Sequence, residues 1–165
     1  MSEPTQGPRR IGDLLLDRGL ITYHQLEQAL QEQRRTKQFL GEILIRLGFM
    51  EPQALLAVLS DRYQLPYEAL SVERVDWRVA KQFPASALSD GRCFPIRADE
   101  HTVVVAIANP LDAWTLSAVE RASGSRKVCP VLVLDAELRE VLQVYRRQVY
   151  QSIEAQLKHG YPETH

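Results

Sequence analysis

Two runs of this sequence, RRIGDLLLDRG at residues 9–19 and QFLGEILIRLG at 38–48, set the same residue types at the same spacing, 29 positions apart. In each run a glycine stands between an apolar residue and an acid, as Ile11-Gly12-Asp13 and Leu40-Gly41-Glu42, and Arg10 heads the first. A glycine at a helix start leaves backbone N–H groups open to an anionic guest, and the helix dipole favours that charge. The neighbouring arginine adds a planar fork for phosphate, or a flat cation that stacks on a base. These residues therefore suit phosphate recognition, and their duplication suits a ligand that is itself twofold symmetric. A repeat kept only for helix packing fits the same spacing, and the residue types alone leave both readings open.

Nothing else in the chain has the spacing of a catalytic or metal centre. There is no GxxxxGKS/T phosphate loop; the nearest fragment, ASGSRK at 122–127, lacks the first glycine and the hydroxyl after lysine. His24, His101, His159 and His165 are scattered, with no HExxH or Cys/His pattern. Ser60 and Asp61 belong to no recognisable triad. Cys93 and Cys129 are too few for a disulfide framework, and each lies in a strand-like run, where it reads as a reduced core thiol. The expectation is a protein with no catalytic residues, no metal and no cofactor.

Composition bounds the partners. The 165 residues are 45% apolar and 25% charged with a net charge of −1. That describes a globular chain with no global source for the charge neutralisation on which nucleic-acid polymers depend. Arg34, Arg35 and Lys37 form a local basic knot that reads as a solvated helix end. The longest apolar stretches, such as Val103 to Ala108, are far too short to span a bilayer, and MSEPTQGP has no apolar signal core. A cytoplasmic protein without direct membrane insertion is expected.

The elements that must position the repeat follow from periodicity. Each copy reads as a short helix ended by a glycine, Gly19 or Gly48, followed by a longer helix. Thr22 to Gln25 has the form of a capping box, and Pro52 suits a first helical turn. Leu26, Ala29, Leu30 and Gln33 share one helix face, and Leu55, Leu56 and Leu59 form the buried face of the second copy. Near Pro66 the period changes and a second domain is predicted. It comprises short helices at Asp76–Gln82 and from Pro84, a hairpin of Cys93–Ile96 with Thr102–Ala108, a helix opened by Asn109 and Pro110, and a strand at Val128–Leu134. A long amphipathic helix capped by Asp135 closes it. The predicted class is α+β: a four-helix subdomain of two repeated helical hairpins, then a small α/β subdomain with a three-stranded sheet and a long C-terminal helix. The expected boundaries are a disordered N-terminus at 1–8, the ligand-binding subdomain at 9–65 with repeats at 10–33 and 39–62, the α/β subdomain at 72–146, and a helical extension and tail at 147–165.

The first copy, RIGDLLLDRGLITYHQLEQALQEQ, closely resembles the 24-residue cyclic-di-GMP motif of the MshEN domain, the N-terminal domain of type II secretion and type IV pilus assembly ATPases. That motif opens with Arg-Leu-Gly and closes with Gln. Here it is kept as Arg10, Gly12, Leu15, Leu16, Gly19, Leu20, Ile21, Leu26, Leu30 and Gln33, with Ile11 for the usual leucine. After the five residues RRTKQ a second copy keeps Leu40, Gly41, Leu44, Ile45, Gly48, Met50, Leu55 and Leu59 in register. It departs from the motif at Phe39 and Arg62, which replace the opening arginine and closing glutamine, and at Phe49, which replaces an aliphatic residue. QLPYEAL, Phe83-Pro84, FPI, VAIANPLD and VLQVY resemble the family's second subdomain, so the likeness covers roughly residues 10 to 145.

The resemblance implies a non-catalytic cyclic-di-GMP-binding regulatory domain of a type II secretion or type IV pilus-like system, without the ATPase motor. It implies that Arg10 and Gln33 recognise guanine edges or phosphates and that the backbone at Gly12 and Gly41 approaches the ligand. Ile11, Leu26, Leu30, Leu40, Leu55 and Leu59 would line apolar faces or simply form core, and Asp13 and Glu42 would cap helices or orient ligand groups. Arg62 or Arg46 would supply the charge missing from the second copy, and Asn109 stands where the family often has an acid before the proline. The alternative is a protein-docking module that ties a secretion or pilus ATPase to an inner-membrane assembly protein without binding nucleotide, a reading favoured by Phe39 and Arg62. A third is an adaptor that dimerises through the final helix, along Val149, Ile153 and Leu157.

Overall fold

The computed structural model describes residues 10–88, 92–110 and 113–159; the segment 1–8, expected to be disordered, and the tail at 160–165 lie outside them. The chain divides into two compact units, Met1–Arg62 and Tyr63–His165.

The repeat builds α1 (Ile11–Asp17), α2 (Tyr23–Thr36), α3 (Leu40–Arg46) and α4 (Pro52–Tyr63). Both short helices end alike. The Gly19 N–H donates to the Leu16 carbonyl at 2.9 Å and the Leu20 N–H to the Leu15 carbonyl at 3.0 Å; after α3, Gly48 donates to Ile45 at 3.0 Å and Phe49 to Leu44 at 2.9 Å. This paired closure is a Schellman turn, which needs a left-handed residue at its hinge. With φ of +65° at Gly19 and +72° at Gly48, glycine meets that need without a Cβ clash. Thr22 then starts α2 through the expected capping box: its Oγ1 accepts the Gln25 N–H at 3.2 Å, and Gln25 Oε1 accepts the Thr22 N–H at 2.8 Å.

Leu15, Ile21, Leu26, Ala29, Leu40, Ile43, Leu44, Met50 and Val58 form the core of this unit. Within each repeat the short helix meets the long one at a glycine. A Cβ added at Gly12 would lie 2.9 Å from Leu26 Cδ1, and one added at Gly41 would lie 2.6 Å from Leu55 Cδ2. Each leucine stands fourteen residues after its glycine. Ion pairs then cross between the repeats. Glu32 of α2 binds Arg35 on its own helix at 2.6 Å and Arg46 of α3 at 3.0 Å, while Arg18 at the end of α1 pairs with Asp61 of α4. Glu32 and Asp61 are 29 residues apart, and their cross-repeat partners Arg46 and Arg18 fall one residue out of that register. The two bridges are near images of each other, as a pseudo-twofold pairing of the halves requires. The guanidiniums of Arg35 and then Arg46 hold the Glu32 carboxyl at about 2, against an ordinary 4.5.

In the second unit β1 (Cys93–Ala98) pairs antiparallel with β2 (Thr102–Ile107), and β2 pairs parallel with β3 (Lys127–Leu132). The Asp99 carboxylate shapes the hairpin by accepting the His101 and Thr102 N–H groups at 2.8 and 2.7 Å. A parallel neighbour needs a crossover, which contains α7 (Ala113–Ala122). The residues expected to mark a boundary near 66–72 instead enter this unit: Leu132 N–H donates to the Pro66 carbonyl at 2.8 Å and Glu68 N–H to the Leu132 carbonyl at 3.0 Å, which puts Tyr67 beside β3 as a parallel bridge. The Leu70 N–H continues the attachment, donating to Glu137 at 3.1 Å.

Short helices α5 (Trp77–Ala80) and α6 (Ala85–Leu88) precede the sheet, and α8 (Asp135–His159) packs on β1 and β2. The fully buried Phe94 ring meets Trp77 of α5 at 5.8 Å and Tyr145 of α8 at 5.2 Å, edge to face in both cases, so one aromatic ladder ties helix, strand and helix. The ASGSRK fragment is the turn into β3: Arg126 donates to the Ser123 carbonyl at 3.3 Å and to Gln82 at 2.9 Å, and lies over the Phe83 ring at 5.8 Å.

The helix expected from Pro110 is described from Ala113 onward, residues 111–112 lying outside the described set. Two expectations need correction. Asp135 is the first residue of α8 rather than its cap, because Leu138 N–H already bonds back to the Leu134 carbonyl at 3.0 Å; Asp135 pairs instead with Arg139 at 2.5 Å. Cys93 is buried and in no disulfide, but Cys129 is only half-buried. The apolar stripe of α8 is buried at Leu138 and Leu142 and runs out into solvent at Ile153 and Leu157.

Two predictions follow from the first unit. Gly41→Ala forces a Cβ against Leu55 and should cost roughly 1 kcal/mol in urea denaturation, the 1–3 kcal/mol of overpacking less what alanine gains in a helix. Combined with Leu55→Ala it should cost less than the two single changes added, and strict additivity would contradict the contact. The second concerns acid. Because the folded-state value of Glu32 lies below 4.5, its contribution is complete above about pH 4.5 and is lost as pH falls through about 2. The melting-temperature gap between wild type and Glu32→Gln should be flat near neutrality and close towards pH 2; a gap of constant size throughout would refute it.

Candidate ligand-binding site

The glycine-marked helix starts lie side by side. The Cβ direction of Gly12, the second residue of α1, reaches to 3.4 Å of Leu40 Cδ2, and Leu40 is the first residue of α3. The end of α2 joins them, because Gln33 Nε2 donates to the Gln38 carbonyl at 3.0 Å, one residue before Phe39. The start of α1, the start of α3 and the end of α2 therefore converge on one end of the helical unit.

Arg10 is the exposed N-cap residue of α1 and its side chain makes no capping bond, so its guanidinium is not occupied in closing the helix. Its carbonyl accepts the first intrahelical bond, from Leu14 N–H at 3.2 Å, which leaves the N–H groups of Ile11, Gly12 and Asp13 without acceptors in their own helix. Asp13 is exposed in that first turn and Glu42 is half-buried in the equivalent turn of α3. Neither residue is an N-cap. Phe39 holds that position in α3, also without a side-chain cap bond.

The apolar candidates separate by burial. Leu26, Leu40 and Leu59 are 7%, 8% and 9% exposed, so the role they display is packing. Ile11, Leu30 and Leu55 are half-buried and keep a solvent-facing side. Gly12 is buried beneath Leu26, and Gly41 is half-buried beneath Leu55. Arg62 is half-buried in the last turn of α4 and is engaged within the protein. Arg46, the other candidate for the missing charge, is bound to Glu32. Asn109 belongs to the second unit, just after β2, whereas the other candidates belong to the first.

Residue types alone did not reveal the Arg18–Asp61 and Glu32–Arg46 bridges that cross between the repeats, although acids at 32 and 61 repeat at the diagnostic offset. Nor did they reveal that Gln33 commits one amide hydrogen to the chain between the repeats. Among the described residues no group of three or more His, Cys, Asp or Glu could hold a metal, and no helix is long and apolar enough to cross a membrane. The site thus offers a guanidinium, a partly used amide, backbone N–H groups without acceptors in their own helix and one aromatic ring. That inventory suits binding of an anionic, base-bearing ligand.

Comparison with known proteins gives these features a family. Residues 63–151 match the MshEN domain family. The type IV pilus assembly ATPase PilB of Thermus thermophilus is 32% identical over 126 residues, which cover 75% of this chain and 14% of that protein, so the chain spans only a small part of its relative. The solved structure of MshE with cdg is similar with a TM-score of 0.69 at 28% identity, covering 83% of this chain and 99% of that one. The N-terminal domain of XpsE is similar in fold alone, with a TM-score of 0.59 at 20% identity over 81% of this chain and 92% of that one. The family match lies in the α/β unit, and the MshE likeness covers more of the chain than that unit contains, so it extends into the glycine repeats. With more than half of its residues inside the domain and a fold shared with MshE, this chain belongs to the MshEN domain family.

Proposed function

We propose that this chain is a non-catalytic receptor for cyclic-di-GMP that regulates a type II secretion or type IV pilus-like machine in the cytoplasm. The observation that carries the reading is the convergence of the two glycine-marked helix starts, Gly12 against Leu40, with Gln33 beside them and Arg10 exposed at the first. A relative with this fold, MshE, is known in a structure with cdg, cyclic-di-GMP.

The cradle acts without chemistry on the ligand. Arg10 supplies a charge-assisted fork and the Gln33 amide a second polar contact. The half-buried Ile11, Leu30 and Leu55 present apolar surface to the ligand's flat faces. Because the ligand touches both repeats, binding favours whichever arrangement of the helical hairpins holds these groups together, and any output follows from that difference in affinity. Replacement of the opening arginine and closing glutamine by Phe39 and Arg62 in the second repeat favours a second reading, a docking module for an assembly protein that binds no nucleotide.

Calorimetric titration separates the two. Cyclic-di-GMP should bind the wild-type chain saturably, and Arg10→Ala should weaken binding by about tenfold or more, the roughly 1.5–3 kcal/mol carried by one hydrogen bond to a charged group. Absence of heat and of any thermal shift at high ligand concentration would reject the receptor and leave docking as the better account.

A further inference from the structure

The two repeats share a backbone but not the side chains at their openings. Arg10 and Phe39 are N-cap residues 29 positions apart with nearly the same conformation, φ −63° and ψ 150° against φ −68° and ψ 141°. Both are exposed, and neither caps its helix. Phe39 leaves 37% of its surface to solvent, although much of the neighbouring apolar surface is folded into the core. Adjacency of Gly12 and Leu40 places the two openings at the same end of the unit.

These two side chains read a purine differently. An arginine fork matches the O6 and N7 acceptors of guanine and meets an amino group instead on adenine, so it discriminates between them. An aromatic ring takes the flat face of a base, and every base has one, so stacking is strong and tolerant of identity. Resting on the receptor reading above, we propose that the site is asymmetric: Arg10 selects guanine in one half, and Phe39 holds the base of the other half by stacking without reading its edge. The ligand class then extends from cyclic-di-GMP to cyclic dinucleotides that join one guanine to a second purine of either kind. Arg62, the last residue of the second repeat, is half-buried and already engaged within the protein.

The test is a calorimetric comparison of cyclic-di-GMP, cyclic GMP-AMP and cyclic-di-AMP on the wild-type chain, Phe39→Arg and Phe39→Ala, with each variant's fold checked by circular dichroism. The wild type should bind the first two with Kd values within about threefold and cyclic-di-AMP about tenfold or more weakly, the discrimination of one bidentate contact. Phe39→Arg should open a gap of about tenfold in favour of cyclic-di-GMP, and Phe39→Ala should weaken both guanine-containing ligands together by about fivefold or more. A wild type that already prefers cyclic-di-GMP over cyclic GMP-AMP by tenfold, or a Phe39→Ala variant that binds both unchanged, overturns the asymmetry while leaving the receptor intact. If none of the three ligands binds, the receptor reading falls and this inference falls with it.

Discussion

The helical unit depends on a close approach that only glycine permits. At Gly12 and again at Gly41 the space that a Cβ would fill is taken by a leucine from the long helix of the same repeat, at 2.9 and 2.6 Å. Any larger residue must push Leu26 or Leu55 away, and Leu26 is part of the core on which the other helices close. Two explanations were available for these glycines, helix packing and access for a ligand, and the structure displays the first directly. They do not compete. The Cβ direction of Gly12 points into the core, whereas its N–H is one of the three that α1 leaves without an intrahelical acceptor.

This approach fixes how far each short helix sits from its partner, and the cross-repeat ion pairs then fix how the two repeats meet. Exposed pairs add little stability singly. Their value here lies in register: Glu32 reaches Arg46 and Asp61 reaches Arg18, so a slip of one hairpin past the other breaks both bridges at once. Glu32 is the stronger anchor because two guanidiniums share it, and that crowding of positive charge keeps its carboxyl ionised far into acid. Gln33 contributes from the next position along α2 by holding the Gln38 carbonyl, which sets where the second repeat begins.

What was legible in the sequence was local. The Schellman glycines, the Thr22 capping box and the start of α4 at Pro52 each depend on residues within five positions of one another, and each formed as its residue types dictate. What was not legible depended on partners far away in the chain. Pro66 to Glu68 reads as linker because a single bridge to Leu132 carries no alternation of its own; its strand character exists only once β3 offers a free edge. Asp135 looks like a cap by type, yet Leu134 supplies the carbonyl that begins α8, and Asp135 turns to Arg139 instead. At the candidate site the glycine spacing located the two openings, while the sorting of Leu26, Leu40 and Leu59 into core and of Ile11, Leu30 and Leu55 into partly open surface needed three dimensions.

A duplicated scaffold separates two properties that a single site would bind together. Backbone symmetry, carried by the glycine contacts and the matching turns, sets the two openings at one end of the unit. Side chains at the repeat openings set the chemistry of each, and because neither Arg10 nor Phe39 caps its helix, either can change without unfolding the turn beneath it. Substitution therefore costs the fold little at residues 10 and 39 and much at 12 and 41. That difference lets the second repeat hold Gly41, Leu55 and the Gly48 turn in the geometry of the first while an aromatic ring stands at its opening in place of an arginine.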